Sequence, residues 1–383
     1  MEIALSNSIL GARVEVDRIY NEAGMATRVR SHAKINLGLV IGPERSDGFH
    51  ALTTIYQTLA IHDFVEVTAR VLPGSEPSQI SITCNEPQVP CDASNTCWKI
   101  VERALRRLKI SAEVFIQIDK RLPVQGGLGA GSANAVAALI GLEKELGISL
   151  PLEENLEIAA ETGSDVPLFL IGGTVLGLGR GERVSPLPDL PETHCVVAVP
   201  EVRVSTPQAF REWDQRQGQD FPEQLGAGGP ENKENKLTAS VASDRLEQLG
   251  RTWAAVLTAP QEAGTNATGV FPAAHGKDRA ENLLLELVRA GIVNDFEQVV
   301  FTQYPSLRGI LETMKQNSPG GSTALYAALS GSGSALFGLY GTAGEAQAAA
   351  DRLKALGIAA YETKTVGRRE YWRTMVQEVR ECL

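Results

Sequence analysis

A glycine-rich run is the part of this chain that most strongly suggests chemistry. Residues 126–132 read GGLGAGS and lie between a strand-like stretch at 114–118 and a helix-like stretch that we expect to begin at or near Ser132. Glycine lets the backbone approach a ligand closely and adopt positive φ, and the first turn of a helix offers free N–H groups to an anion. These features together favour a phosphate-binding cradle.

The run matches neither of two common nucleotide-binding fingerprints. No Gly-Lys-Ser/Thr follows it, as in a Walker A loop, and no G-x-G-x-x-G can be read in it. Isolated glycine patterns have low specificity. An ordinary glycine-rich turn between two elements is therefore an open alternative for the run on its own.

A lone lysine and a lone aspartate are the candidate catalytic side chains. Lys34 lies mid-strand on the face opposite an apolar stripe, and alone it would fit a solvated strand face. Asp165 precedes an apolar run, and alone it would fit a helix N-cap. Phosphoryl transfer, however, needs cradled phosphates, Mg²⁺ and a group that orients or deprotonates the attacking hydroxyl. A lysine beside an aspartate favours the ionised carboxylate and stabilises developing charge.

The overall composition limits the other functions that the chain could have. The 383 residues suffice for about two domains, and a formal net charge of −10 argues against non-specific binding of nucleic acid. The chain has no apolar run long enough to cross a bilayer and no signal-peptide pattern at its start, so we expect a cytoplasmic protein without a membrane partner. The five cysteines form no C-x-x-C pair, which favours reduced thiols over a zinc site or disulfides.

Helical and strand patterns are mixed without a strict βαβ rhythm, which predicts an α+β fold. In the first strand one face would carry Val29, Ala33, Ile35, Leu37, Leu39 and Ile41, and the other His32, Lys34 and Asn36. Further strands are expected near 64–67, 80–82, 172–178, 195–199, 324–329, 335–340 and 358–363. Helices are expected near 95–108, 152–162, 281–290, 294–301, 305–315 and from 343 onward.

Two segments depart from this regular patterning. Residues 1–26 show no clear periodicity and are interpreted as an N-terminal extension. Residues 213–280 are rich in Gln, Gly, Glu, Pro and Ala, and only 246–257 could form a helix there. We interpret this second segment as a long, partly ordered insertion.

Five motifs in order resemble those of the GHMP kinases. They are AKINL at 33–37, RSDGFH at 45–50, GGLGAGS at 126–132, GSDVP at 163–167 and LSGSGS at 329–334. The resemblance covers about 28–210 and 281–340. It implies an N-terminal ATP-binding α+β domain at 27–200, similar to the second domain of ribosomal protein S5. It also implies a ferredoxin-like α+β domain at 201–383 that contains the insertion, with the substrate in the cleft between the two.

The resemblance also implies a role for each matching residue. Asp165 would be the catalytic carboxylate and Lys34 its partner. ATP and Mg²⁺ would be the cofactors, the metal being held mainly by the phosphates, and no protein ligand to it is assigned. The third glycine motif, at 330–334, would line the site from the C-terminal domain. The ATP phosphates would be bound by Pro123, Gly126, Gly127, Leu128, Gly129, Ala130, Gly131 and Ser132.

The combination of the first and second motifs resembles most closely the GHMP kinases that act on a cytidyl substrate. Asn36 would lie on the substrate side, His50 would hydrogen-bond the cytosine, and Phe49 and Phe210 would stack on it. Many relatives have tyrosine where Phe49 stands, and Ala130 replaces a common glycine. Core packing is the alternative for both phenylalanines.

Other functions stay open on sequence alone. They are a kinase for another small molecule, such as mevalonate or homoserine, a non-catalytic binding protein with the same fold, and a scaffold built on the insertion. We expect a small-molecule partner, no nucleic acid, and a monomer or weak homodimer.

Overall fold

The computed structural model describes residues 26–74, 76–124, 126–219, 293–316 and 324–378, and all structural statements refer to these ranges. The strands are β1 (Thr27–Glu44), β2 (His50–Val71), β3 (Gln79–Cys84), β4 (Ala112–Asp119), β5 (Thr174–Gly179), β6 (Arg183–Pro186), β7 (His194–Val199), β8 (Tyr326–Leu329), β9 (Leu336–Tyr340), β10 (Ala359–Lys364) and β11 (Val376–Glu378). The helices are α1 (Thr96–Leu108), α2 (Ala130–Leu146), α3 (Leu152–Thr162), α4 (Thr206–Gln219), α5 (Phe296–Gln303), α6 (Pro305–Lys315), α7 (Ala343–Ala355) and α8 (Arg368–Met375).

The glycine-rich loop follows a strand of the larger sheet, β4. The strand order of this sheet is β11-β1-β2-β4-β3, and β5 pairs with β2 and with β6. All of these pairs are antiparallel except β3 with β4. Helices α1 and α2 pack on this sheet and on each other, and α3 packs on α1. The core between these layers contains the small and branched apolar side chains of α2, including Val136 and Leu139.

The smaller sheet has the order β10-β7-β9-β8 and is entirely antiparallel. Helices α6 and α7 pack on it, and α5 joins α6 and α4. Trp213 of α4 is buried in this second core together with Phe296 and Met314. Thr342 caps α7 through a reciprocal capping box with Glu345, which explains why the helix begins directly after the turn from β9.

Strand β1 packs in the cores of both sheets, and its pairing with β2 is interrupted by bulges. Its pairing with β2 shifts register between His32 and Lys34, again between Asn36 and Gly38, and a third time near its end. The predicted common face for its apolar residues is therefore wrong in detail. Val29 packs in the core of the larger sheet, Leu39 packs in the core of the smaller one, and Ala33, Ile35 and Leu37 line a third cluster between them.

The predictions agree with the structure for most elements, but β2 extends well beyond the predicted 64–67, β6, β11 and α8 were not predicted, and the region of α4 differs. Helix α4 continues through residue 219, so the first residues of the predicted insertion at 213–280 are helical. The helix was not predicted because the sequence REWDQRQGQ is mostly polar. Phe210 and Trp213 pack it against the core. The rest of the insertion, the N-terminal residues 1–25 and the helices expected at 246–257 and 281–290 lie outside the described residues.

Candidate active site

Lys34 and Asp165 form a partly buried ion pair. Lys34 projects from β1, and Asp165 lies in the turn between α3 and a short 3-10 helix, Pro167–Leu170. The Lys34 Nζ is 3.2 Å from Asp165 Oδ2, and the lysine side chain is 3% exposed whereas the aspartate is 33% exposed. These contacts exclude the two non-catalytic interpretations of the residues, a solvated strand face for Lys34 and a helix N-cap for Asp165. Lys34 is not on a solvated strand face, and the 3-10 helix begins after Val166 without any side-chain cap.

Other polar groups complete the environment of this pair. The Lys34 Nζ also donates to Asn36 Oδ1 at 2.7 Å, and Asn36 Nδ2 donates to Thr54 Oγ1 at 2.7 Å. On the other side, the Tyr56 hydroxyl donates to Asp165 Oδ1 at 2.9 Å. A buried ammonium is tolerated only when acceptors surround it. Because the Asp165 carboxylate is partly exposed and the Lys34 ammonium is buried, the carboxylate is the group of this pair that a ligand could contact.

The glycine-rich loop packs directly on the lysine. The backbone N–H of Lys34 donates to Leu128 O at 2.9 Å. Gly129, at φ +68°, precedes α2, and a Cβ at this position would lie 2.9 Å from Lys34 Cγ. Only glycine both adopts this positive φ without strain and leaves the space that Lys34 occupies. The predicted helix start near Ser132 is two residues late, since α2 begins at Ala130 and its first i→i−4 bond runs from Ala133 N to Gly129 O.

A cavity of about 390 Å³ lies beside this loop. It is lined by most of the residues predicted to bind ATP, namely Pro123, Gly127, Leu128, Gly129, Ala130, Gly131 and Ser132. Gly126 is absent from the lining and instead accepts a hydrogen bond from Ala335 N at 3.0 Å. The lining also includes residues that precede or begin α1, which the sequence patterns did not assign to a site: Gln88, Val89, Pro90, Ser94, Asn95 and Thr96.

Two helix N-termini meet at the cavity. The Asn95 side chain caps α1 by accepting from Cys97 N at 2.8 Å, and Thr96 Oγ1 donates to Gly131 O in the first turn of α2 at 2.7 Å. The free N–H groups and dipole of α2 favour an anion at this point. Lys120 also lines the cavity, but its Nζ is already paired with buried Asp63 at 2.6 Å. Backbone N–H groups at the start of α2 are therefore the main groups of this lining that could attract an anion.

The third glycine motif, residues 330–334, packs against the same loop. The Ser330 hydroxyl donates to Gly127 O at 3.0 Å, and a Cβ on Gly127 would lie 2.2 Å from Ser330 O. Gly331 lies near the ion pair, since a Cβ there would be 3.3 Å from Asn36 Oδ1. Asn294, which sequence reasoning missed, holds this motif by donating to Gly331 O at 2.7 Å. The structure thus brings the first, third, fourth and fifth motifs together.

The residues predicted to recognise a base lie in two groups. His50 and Phe210 are stacked on each other, with ring centroids 5.0 Å apart and planes 10° apart, and His50 Nε2 is 2.7 Å from Asp214 Oδ1. Phe49 is 52% exposed, and the Arg180 guanidinium lies 5.0 Å from its ring centroid. A base can bind to the face of Phe210 that His50 now contacts only if His50 moves.

Arg180 and Tyr56 are candidate functional residues that the sequence patterns did not reveal. Both are isolated residues in strand-like surroundings, and nothing in their spacing marks them. Arg180 lies in the turn between β5 and β6, where it places a cation beside Phe49. A cation next to an exposed aromatic ring is suited to a ligand that carries both a base and phosphates.

The described residues contain no group of three or more His, Cys, Asp and Glu side chains able to hold a metal ion. Within the same ranges Cys84, Cys91, Cys97 and Cys195 form no disulfide. Burial raises the pKa of the Cys97 and Cys195 thiols. No helix of the described chain is long and apolar enough to cross a membrane.

The chain matches two family models. The model of the GHMP kinases N terminal domain matches residues 95–173, and the model of the GHMP kinases C terminal matches residues 277–359. The first match includes the glycine-rich loop and Asp165, and the second includes the 330–334 motif.

Relatives from two bacteria carry one name, 4-diphosphocytidyl-2-C-methyl-D-erythritol kinase. The protein of Rhodococcus jostii is 39% identical over 223 residues, which cover 58% of this chain and 70% of that relative. The protein of Acaryochloris marina is 31% identical over 333 residues, which cover 86% of this chain and 92% of that relative. A crystal structure of 4-(cytidine 5'-diphospho)-2C-methyl-D-erythritol kinase aligns with a TM-score of 0.59 at 26% identity, covering 89% of this chain and 99% of that one.

Proposed function

This chain belongs to the 4-diphosphocytidyl-2-C-methyl-D-erythritol kinases and has the two-domain α+β fold of the GHMP kinases, and from this membership we propose its reaction and the residues that perform it. The protein is an ATP-dependent small-molecule kinase. It transfers the γ-phosphoryl group of ATP to the 2-hydroxyl of 4-diphosphocytidyl-2-C-methyl-D-erythritol, a step of the non-mevalonate (methylerythritol phosphate) route to isoprenoid precursors. The observation that carries the residue assignment is the Lys34–Asp165 pair, which lies against the glycine-rich loop.

ATP fits the cavity beside α2. Its phosphates would bind the free N–H groups at the start of α2, with the Ser132 hydroxyl within the same lining. The segment at 88–96 would then contact the rest of the nucleotide. Mg²⁺ fits this arrangement as an ion held mainly by the phosphates, because hard cations take oxygen ligands and the described residues offer no carboxylate cluster. The ion would neutralise charge on the phosphates.

Asp165 is the group suited to the acceptor hydroxyl. Its carboxylate is partly exposed and is flanked by Lys34, so it can accept the proton of the 2-hydroxyl as that oxygen attacks phosphorus. The Lys34 ammonium lies 3.2 Å from this carboxylate and can stabilise the charge that develops between donor and acceptor. Asn36, bonded to the same ammonium, would lie on the substrate side of the pair and would orient Lys34.

The cytidyl end of the substrate would bind near Phe49, His50 and Phe210. Stacking on aromatic rings is tolerant of base identity, so discrimination requires a hydrogen bond at the base edge, for which His50 is the available group. Binding would separate His50 from Phe210 and free the imidazole from Asp214. Arg180, over the Phe49 ring, is placed to pair with the diphosphate.

Substrate selection tests this function. Purified protein is mixed with ATP and Mg²⁺, and ADP release is followed by a coupled assay with the cytidyl substrate, mevalonate or homoserine in turn. Of the three candidate acceptors, we expect only the cytidyl substrate to cause ADP release. Release with mevalonate or homoserine instead would overturn the substrate assignment, and no release with any of the three would overturn kinase activity toward these substrates. We further expect cytoplasmic location and a monomer or weak homodimer.

A further inference from the structure

Tyr56 is a fully buried side chain whose hydroxyl reaches the proposed catalytic carboxylate. It lies on β2, and its hydroxyl donates to Asp165 Oδ1 at 2.9 Å. The Lys34 Nζ approaches the other oxygen, Oδ2, at 3.2 Å. The carboxylate is therefore held at both oxygens by groups that come from neighbouring strands of one sheet.

The hairpin of β5 and β6 is shaped around this phenol. Gly177 on β5 lies against the ring, where a Cβ would be 2.6 Å from Tyr56 Cε2. Gly181 in the turn lies against the hydroxyl, where a Cβ would be 2.4 Å from the Tyr56 oxygen. Side chains at these two positions would displace the ring. The chain thus contains a slot that fits a phenol and points its oxygen at Asp165.

The phenol acts as a permanent hydrogen-bond donor. Burial, and next the charge of Asp165, raise the pKa of Tyr56 well above its ordinary value of 10.0. The proton therefore stays on the phenol at any working pH, and the hydroxyl donates it in the bond to Asp165. A donor that does not titrate gives the carboxylate one fixed orientation.

We propose that Tyr56 is a positioning residue that, together with Lys34, fixes the plane of the Asp165 carboxylate for attack by the acceptor hydroxyl. This inference rests on the function proposed above. With Oδ1 and Oδ2 each engaged by one donor, only the remaining lone pairs on the exposed side of the carboxylate can accept the substrate proton. Rotation of the carboxylate would misalign base and hydroxyl, and small misplacements of reacting groups are costly in rate.

The substitution Tyr56→Phe removes one oxygen and retains the ring that fills the slot. We expect kcat to fall about tenfold, a change that corresponds to about 1.4 kcal/mol. The KM values for ATP and for the cytidyl substrate should stay within about twofold of wild type, because the change affects alignment in the transition state and not ground-state binding. The matched control is Tyr340→Phe, which removes a buried phenol that donates to Met314 O in the other core. It should retain wild-type kcat.

A double-mutant cycle separates positioning from stability. In the Asp165→Asn background Tyr56→Phe should lower kcat by less than about twofold, because the two residues would act as one unit. An equal loss in both backgrounds, or a Tyr56→Phe kcat within about twofold of wild type, would overturn the inference. The outcomes also separate the two proposals. A wild-type enzyme that does not phosphorylate the cytidyl substrate refutes the proposed function, whereas an active wild type with an unaffected Tyr56→Phe refutes only the role of Tyr56.

Discussion

The substitution Asp165→Asn is the most informative perturbation of the ion pair. The amide matches the carboxylate in shape, and its oxygen can still accept from Tyr56 as Asp165 Oδ1 does at 2.9 Å. In the other amide orientation the oxygen faces Lys34 Nζ, which lies 3.2 Å from Oδ2, and the NH₂ group donates to the Tyr56 hydroxyl, so either orientation is tolerated but neither carries the negative charge. The variant therefore loses the base and the charge that attracts Lys34.

The two effects of Asp165→Asn differ in size. Loss of general base assistance lowers kcat by about 10²–10⁴-fold. The cost in stability is smaller than the roughly 3–5 kcal/mol seen when a fully buried pair is broken. Asp165 is 33% exposed, which lets water approach, and Lys34 keeps Asn36 as an acceptor at 2.7 Å. We expect a loss of about 1–2 kcal/mol in the free energy of unfolding.

Three measurements decide this prediction. Steady-state ADP release should show the loss in kcat, calorimetric titration should show ATP affinity within about threefold of wild type, and urea unfolding should show a folded protein. Asp119→Asn is a matched control, because Asp119 forms ion pairs with Arg28 and Arg121 at the surface. The reasoning is refuted if Asp165→Asn turns over within about threefold of wild type, or if Asp119→Asn loses as much activity.

Other substitutions test separate parts of the structure. Phe49→Ala should raise the KM for the cytidyl substrate with ATP affinity nearly intact, as a base stack is worth about 1–3 kcal/mol; an unchanged KM would remove Phe49 from the site. His50→Ala should reduce the preference for cytidine over uridine analogues, which competition assays measure. Gly129→Val should weaken ATP more than the cytidyl substrate, and because a Cβ would lie 2.9 Å from Lys34 Cγ, kcat should fall as well; equal weakening of both ligands would make the loop structural. Burial lowers the pKa of His32 from 6.5 to about 4, so the protein takes up a proton on unfolding between these pH values, and the free energy of unfolding falls by roughly 3 kcal/mol on acidification from pH 6.5 to 4. His32→Gln should remove this pH-dependent part of the free energy of unfolding in urea titrations. An unchanged pH dependence would show that His32 is not its source.

Local patterns predicted most elements because strand alternation, helix caps and glycine stops are encoded within short windows. The interpretation of 305–315 as a helix matches α6, and 152–162 matches α3. The bulges of β1 were not predictable, because they depend on the partner strand and leave no composition signal. Helix α4 was missed since its polar face dominates the sequence while two aromatic residues fix it to the core.

The candidate site could be predicted as a set of motifs but not as an arrangement. Lys34 and Asp165 are far apart in the chain, and their contact depends on tertiary packing that no spacing reports. In the sequence, Tyr56 is indistinguishable from the other core residues of its strand. Its hydrogen bond to Asp165, which only the structure shows, is what makes it a candidate functional residue. The His50–Phe210 stack likewise differs from the base sandwich that the resemblance implies, because the contact between the two rings depends on tertiary packing.

The position of the transferred phosphoryl group tests the central claim most directly. The protein is incubated with ATP, Mg²⁺ and the cytidyl substrate carrying ¹³C in its 2-methyl group, and the product is examined by ³¹P and ¹³C NMR. We predict one new phosphomonoester whose phosphorus couples to the labelled methyl carbon, formed by wild-type protein and at a rate about 10²–10⁴-fold lower by Asp165→Asn. A phosphomonoester without that coupling, or equal rates for the two proteins, would contradict the account.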